Sequence, residues 1–248
     1  MERVAPRRVR RPRVADSRMI TLREVEFSYD GERSALVVPS LDIGPGLTMV
    51  VGANGSGKST LLRIVAGVEH PRNGTVTVDG HDLWREEVAA RRSLAFVPEH
   101  PELTPYASIA DVLQLVARLR GATYEDVASS LDRVGLLEVA WHTVRELSMG
   151  QRRRALFATA LLGDPRTVIL DEPLETMDQA MRDLIIAWTR ERRSLGATVL
   201  LATHDLQPFA ADADAVVVVR DGAVRLVTAS ELGHDRLVAL EGLARGAG

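Results

Sequence analysis

Cysteine does not occur in this chain of 248 residues. Disulfide staples, thiolate metal sites and cysteine nucleophiles are therefore excluded. Long apolar runs are missing too. No stretch approaches the roughly 18–20 apolar residues that a bilayer crossing needs, and the run from Ala215 to Val219 is only strand-sized. If a membrane is involved, a partner supplies the span. Lysine is almost missing: among 31 basic residues only Lys58 is a lysine, the others being arginine. Such an arginine bias reflects codon composition, so a single retained ammonium asks what a guanidinium cannot do there.

Charge is unevenly spread. The net charge of −3 gives no general drive toward nucleic acid, and no nucleic-acid partner is expected. Residues 1–18 nonetheless hold seven arginines against Glu2 and Asp16, which leaves a net −8 on the rest. This arm has no aromatic residue and no helical stripe, and is expected to be solvated and disordered. Contact with anionic lipid or with a partner is the alternative. It lacks the apolar segment of a secretory signal.

Around Lys58 the chain reads LTMVVGANGSGKSTLLRIVAG. Leu47 to Val51 has the apolar, β-branched character of a buried strand. Gly52, Ala53, Asn54, Gly55, Ser56, Gly57, Lys58 and Ser59 then fit G-x-x-x-x-G-K-[ST] at every fixed position, and Thr60 follows. Leu61, Leu62, Ile64 and Val65 share a helical face, with Gly67 as a stop. Glycines let the backbone turn tightly and point N–H groups inward, and a helix N-terminus adds partial positive charge. The loop is thus a cradle for the β- and γ-phosphates of a nucleotide. Lys58 would reach those oxygens as a compact cation, and the Ser59 hydroxyl would bind Mg²⁺.

Two further strands end in polar tips. Thr167 to Leu170 leads to Asp171, Glu172 and Pro173. Asp171 sits where a carboxylate can hold Mg²⁺, directly or through water. Glu172 leaves the strand end in another direction and would polarise an attacking water. Ala197 to Ala202 leads to Thr203, His204 and Asp205, where the imidazole would hydrogen-bond the γ-phosphate and that water. All three strand ends belong at the carboxyl edge of a parallel sheet, the ligand-binding edge of open α/β folds.

Leu147-Ser148-Met149-Gly150-Gln151 precedes a strong helix start, with Ser148 as its N-cap. It resembles the LSGGQ signature of the ABC ATPases, with Met149 in place of the first glycine. The resemblance extends over about residues 20–222. Phe27-Ser28-Tyr29 looks like the aromatic loop, Phe96-Val97-Pro98-Glu99 stands at the Q-loop, Leu174 to Asp178 resembles the D-loop, and Thr203-His204-Asp205 the H-loop. It implies a P-loop NTPase core of mostly parallel sheet, an antiparallel β subdomain and a helical signature subdomain. ATP and Mg²⁺ are the implied ligands.

In that family Tyr29 would stack on adenine. Lys58, Glu172 and His204 would be catalytic, with Ser59, Asp171 and Glu99 as metal ligands. Ser148, Met149, Gly150, Gln151 and Asp178 would act at the paired subunit's nucleotide. The resemblance also implies a homodimer or heterodimer of cassettes, and a membrane-spanning permease subunit that meets the stretch from Glu99 to Tyr106. The place of action would be the cytoplasmic face of the membrane, as a peripheral subunit. Glu99 departs from the family's glutamine and resembles some bacterial exporter cassettes, so export is the expected direction. A soluble ABC ATPase in cofactor-cluster assembly is the alternative.

The expected organisation is a basic arm at 1–18, one ABC ATPase domain at 19–228 with a helical lobe at about 100–160, and a short C-terminal tail at 229–248. Within the lobe, Ile109, Val112, Leu113, Val116 and Leu119 form an apolar stripe, and Thr123 with Asp126 reads as a helix cap.

Overall fold

The structure is a computed structural model, and it describes residues 19–100, 103–233 and 235–245. The expectations for the basic arm, and for Pro101 and Glu102, lie outside the described residues. Ten strands form one sheet: β1 (Ile20–Phe27), β2 (Leu36–Ile43), β3 (Gly46–Val51), β4 (Asn73–Val78), β5 (His81–Asp82), β6 (Leu94–Val97), β7 (Thr167–Asp171), β8 (Thr198–Ala202), β9 (Ala215–Arg220) and β10 (Ala223–Thr228). Their spatial order is β5-β4-β1-β2-β10-β9-β3-β8-β7-β6.

The strands from β9 through β6 run parallel. β1, β2, β4 and β5 pair antiparallel, as do β9 and β10. The antiparallel part carries one irregularity: β1 shifts register against β4 between Arg23 and Glu26. Gly74 (φ 90°) lies against it, and a Cβ there would stand 2.4 Å from the Arg23 carbonyl oxygen. Only glycine fits that approach.

The parallel strands are buried on both faces. Leu47, Met49 and Val51 of β3, with Val199 and Leu201 of β8, enter one core, while Val50, Leu200 and Ala202 enter the other. Period-two alternation feeds two cores at once, which is why these strands read as continuous apolar runs. Helix α1 (Lys58–Val65) covers one face, and α2 (Glu87–Arg92) lies near it. On the other face lie α3 (Ile109–Arg120), α4 (Tyr124–Arg133), α5 (Met149–Leu161) and α6 (Gln179–Ser194). Asp178 caps α6, and Met181, Ile185 and Trp188 point into the core, where Trp188 meets Phe157 of α5 edge-on. Short α7 (Gln207–Ala210) precedes β9. The segment expected as a tail holds α8 (Ala229–Leu232) and α9 (Arg236–Arg245), and Leu240 of α9 is fully buried.

The α3 stripe turns out rotated. Its buried residues are Ile109, Ala110, Leu113 and Ala117, and Leu119 is 65% exposed. The inward position belongs to Arg120, three residues after Ala117, whose guanidinium donates to the Thr159, Leu162 and Leu94 carbonyls at 2.6, 3.3 and 2.9 Å. Burial lowers its pKa to about 10, so it stays charged at neutral pH. One cation thereby ties the end of α3 to the end of α5 and to β6. Arg120→Met would strand these carbonyls and is expected to lower stability by about 2–4 kcal/mol, read from the midpoint of urea unfolding. An unshifted midpoint would mean that water replaces the guanidinium.

Candidate functional site

Register brings the site together. β3 and β7 each lie beside β8, with Val50 opposite Ala202 and Asp171 opposite the same Ala202. Three strands therefore end level, and the loops that follow them face one cleft of about 920 Å³.

The loop after β3 turns back into α1. Gly52 (φ 155°) begins it where a Cβ would stand 2.2 Å from the Val219 carbonyl oxygen and 2.6 Å from Ser56 Oγ. Lys58 opens α1, and its ammonium donates to the Gly52 and Ala53 carbonyls at 2.9 and 3.1 Å. Asn54, Gly55, Gly57, Lys58, Ser59 and Thr60 line the cleft, while Ser56 is buried beneath the turn. Tyr29 lies at the rim, two-thirds exposed, with its hydroxyl 2.9 Å from Thr60 Oγ1 and its ring edge-on to Phe27. An exposed ring face there is available to a flat base.

The carboxylates stand opposite. Asp171 is buried at the end of β7 and hydrogen-bonded to Ser59. Burial is the main force raising its pKa to about 6; the Ser59 bond opposes this, and the charges of Glu99 and Glu172 add to it. Glu172 has a left-handed backbone, φ 47°, which turns its side chain out of the strand direction. Its Oε2 accepts from the His204 backbone N–H at 3.1 Å, and Oε1 lies 3.5 Å from His204 Nε2. Burial raises the Glu172 pKa, and the His204 backbone bond works against that rise. The His204 ring is 65% exposed, free to meet a ligand.

Ser59, Asp171 and Glu99 offer oxygen donors only, the set that a hard cation prefers. Among the described residues no cluster of three or more His, Asp or Glu is arranged to hold a metal ion. The donors fit Mg²⁺, which binds through one or two carboxylates with phosphate oxygens and water completing its shell.

Not every expected residue enters this cleft. Ser148 caps α5 in a reciprocal pair: Gln151 N–H donates to Ser148 Oγ at 3.2 Å, and Ser148 N–H to Gln151 Oε1 at 2.9 Å. Met149 is 57% exposed and Gly150 has open space around it. None of the four lines the cleft, and neither does Asp178, which caps α6 and pairs with Arg154. The cleft also takes in Glu175, Arg182 and Asp205, which sequence reasoning did not assign. Arg182 donates to Asp205, beside His204. No local spacing announces that pair, because it joins a helix to a loop 23 residues on.

A glycine-rich phosphate loop facing two strand-end acids and a histidine defines a P-loop nucleotide-binding ATPase. The family model described as ABC transporter matches residues 38–175. The chain is 37% identical over 195 residues to the ABC transporter ATP-binding/permease protein Rv1747 of Mycobacterium tuberculosis, covering 75% of this chain and 22% of that protein. It is 37% identical over 222 residues to the aliphatic sulfonates import ATP-binding protein SsuB of Cupriavidus necator, covering 87% and 70%. The solved dimeric structure of MJ0796, a bacterial ABC transporter cassette, superposes with a TM-score of 0.74 at 27% identity, covering 84% of this chain and 98% of that one. The chain belongs to the ABC transporter family, as one of its ATP-hydrolysing cassettes.

The raised Asp171 pKa has a stability consequence for the metal-free chain. Folded Asp171 keeps its proton up to about pH 6, whereas an unfolded aspartate releases it near 3.8. Its ionisation therefore costs nothing below pH 4, costs progressively more through pH 6, and costs up to about 3 kcal/mol above that. Asp171→Asn is expected to be more stable than wild type at pH 7.5, with the gain fading as pH falls to 4. Denaturant midpoints across pH test this; a gain independent of pH would assign it to something other than the charge.

Proposed function

We propose that this chain energises a separate membrane permease, two cassettes closing on two ATP molecules and reopening after hydrolysis. The observation that carries the reading is the Glu172–His204 pair, held across the cleft from the phosphate loop. Lys58 and the loop amides from Gly52 to Ser59 hold phosphate, and Thr60 supports Tyr29, which stacks on the adenine. Ser59, Asp171 and Glu99 hold Mg²⁺, which neutralises phosphate charge. Glu172 takes a proton from the attacking water, and His204 orients that water against the γ-phosphate. Ser148, Met149, Gly150, Gln151 and Asp178 do not line their own cleft, which suits a role at the nucleotide of the paired cassette. The pair is a homodimer in the simplest arrangement, and a heterodimer has the same parts.

None of the helices among the described residues is long and apolar enough to cross a membrane. The permease supplies the span and meets the stretch from Glu99 to Tyr106, of which Tyr106 is 77% exposed. In this reading the cassette works at the cytoplasmic face of the membrane, as a peripheral subunit. Export is the direction suggested by Glu99, and the identity to a protein named for sulfonate import makes uptake the alternative outcome.

Co-expression with a candidate permease is expected to yield a detergent-stable complex whose ATPase activity falls at least about 100-fold in Glu172→Gln. Vesicles then read the direction of transport. A chain that hydrolyses ATP but ignores every permease would point to a soluble assembly, such as one for cofactor clusters. Glu99→Gln replaces a charged ligand by a neutral one. It is expected to raise the Mg²⁺ concentration for half-maximal ATPase activity, and an unchanged titration would remove Glu99 from the metal site.

A further inference from the structure

The turn that carries Glu172 is held from outside by a buried arginine. Both Glu172 (φ 47°) and Thr176 (φ 58°) have left-handed backbones without being glycine. Such conformations persist only where the surroundings impose them. Glu175 N–H donates to the Glu172 carbonyl at 3.2 Å and closes the turn between them. Arg153 then grips Glu175 twice: one terminal nitrogen donates to its carbonyl at 2.6 Å, the other to Oε2 at 3.1 Å. The Arg153 side chain is only 10% exposed, and its Nε is buried with no hydrogen-bond partner among the described residues. A guanidinium placed so deep, with one donor unused, serves the Glu175 turn above all else.

Arg153 lies on α5, five residues beyond the Ser148 cap, so its hold on Glu175 also ties the LSMGQ end of that helix to the Glu172 turn. The neighbouring contacts act in the same direction. Arg154 pairs with Asp178, and Arg182 donates to the Leu174 carbonyl at 3.2 Å. The stretch from Leu174 to Asp178 is thus pinned from α5 and α6 together.

We propose that Arg153 and Glu175 form a positioning pair: they set the Glu172 carboxylate against the attacking water, and through α5 they make that placement depend on how the chain's own LSMGQ end is seated. This rests on Glu172 acting as the base in ATP hydrolysis. Arg153 does not line the cleft, and Glu175 reaches it from the turn after Glu172, away from the phosphate loop in sequence, so their loss is expected to act on turnover rather than on ATP capture.

Purified cassette, wild type and with Glu175→Gln, Arg153→Met and both changes, is assayed for steady-state ATPase activity, ATP binding and thermal unfolding. Glu175→Gln alters a half-exposed side chain and keeps the measurement available if Arg153→Met folds poorly. Each single change is expected to lower kcat about tenfold, with KM and ATP affinity within about twofold of wild type. The double variant is expected to be no slower than Arg153→Met, because that change already removes the side-chain contact that Glu175→Gln weakens. A kcat of Glu175→Gln near wild type, a KM that rises while kcat holds, or losses that multiply in the double variant would each overturn the pair. A wild type that hydrolyses no ATP, or is indifferent to Glu172→Gln, sinks the reading of Glu172 as base and this inference with it. An active wild type beside an indifferent Glu175→Gln sinks the inference alone.

Discussion

The parallel register of β3, β8 and β7 is the constraint on which the rest depends. Asp171 and Val50 share Ala202 as their lateral neighbour, so three chain reversals begin at one level. Shifting any strand by one residue would send its apolar set into the wrong core. Because each central strand feeds both cores, slippage is resisted from two sides. Rigidity at this edge lets the loop from Gly52 and the turns at Glu172 and His204 face one another across a fixed gap.

Opposite charges line the cleft. The ammonium of Lys58 rests on loop carbonyls, while Asp171 is buried among like charges and raised in pKa. The acids of this cleft repel one another, and its loop amides and ammonium favour an anion. Phosphate with a divalent cation answers both needs at once. The strain at Glu172 has the same character, a backbone conformation tolerated because a neighbouring turn enforces it. Binding energy and catalytic geometry therefore draw on features that cost stability in the free chain.

The helical segment between β6 and β7 is attached differently. Arg120 ties it to β6, and Arg153 ties it to the turn that follows β7. Both guanidiniums reach backbone carbonyls, which a helix end or a turn leaves unfilled. Such contacts fix position without demanding a complementary side chain. Their loss would loosen the signature helix relative to the strand ends before it disturbed either core.

Residue order alone determined the cradle, the paired acids after β7 and the histidine after β8, because each is local chemistry: a motif, a strand and a breaker within a dozen residues. It also determined the caps at Thr123 and Ser148, since a cap is written in four consecutive positions. Periodicity misjudged α3, where a count of apolar residues favours Leu119 over an arginine that the fold buries for its hydrogen bonds. It also gave no sign of the helices at Ala229–Leu232 and Arg236–Arg245, the first of which lies against β10 and the second against α7, β3 and β9. Only the tertiary structure decided that Arg153 holds Glu175 and that Arg182 reaches Asp205. Contacts between residues some twenty positions apart leave no spacing to read; they exist because the folded sheet and helices bring separate segments to the same place.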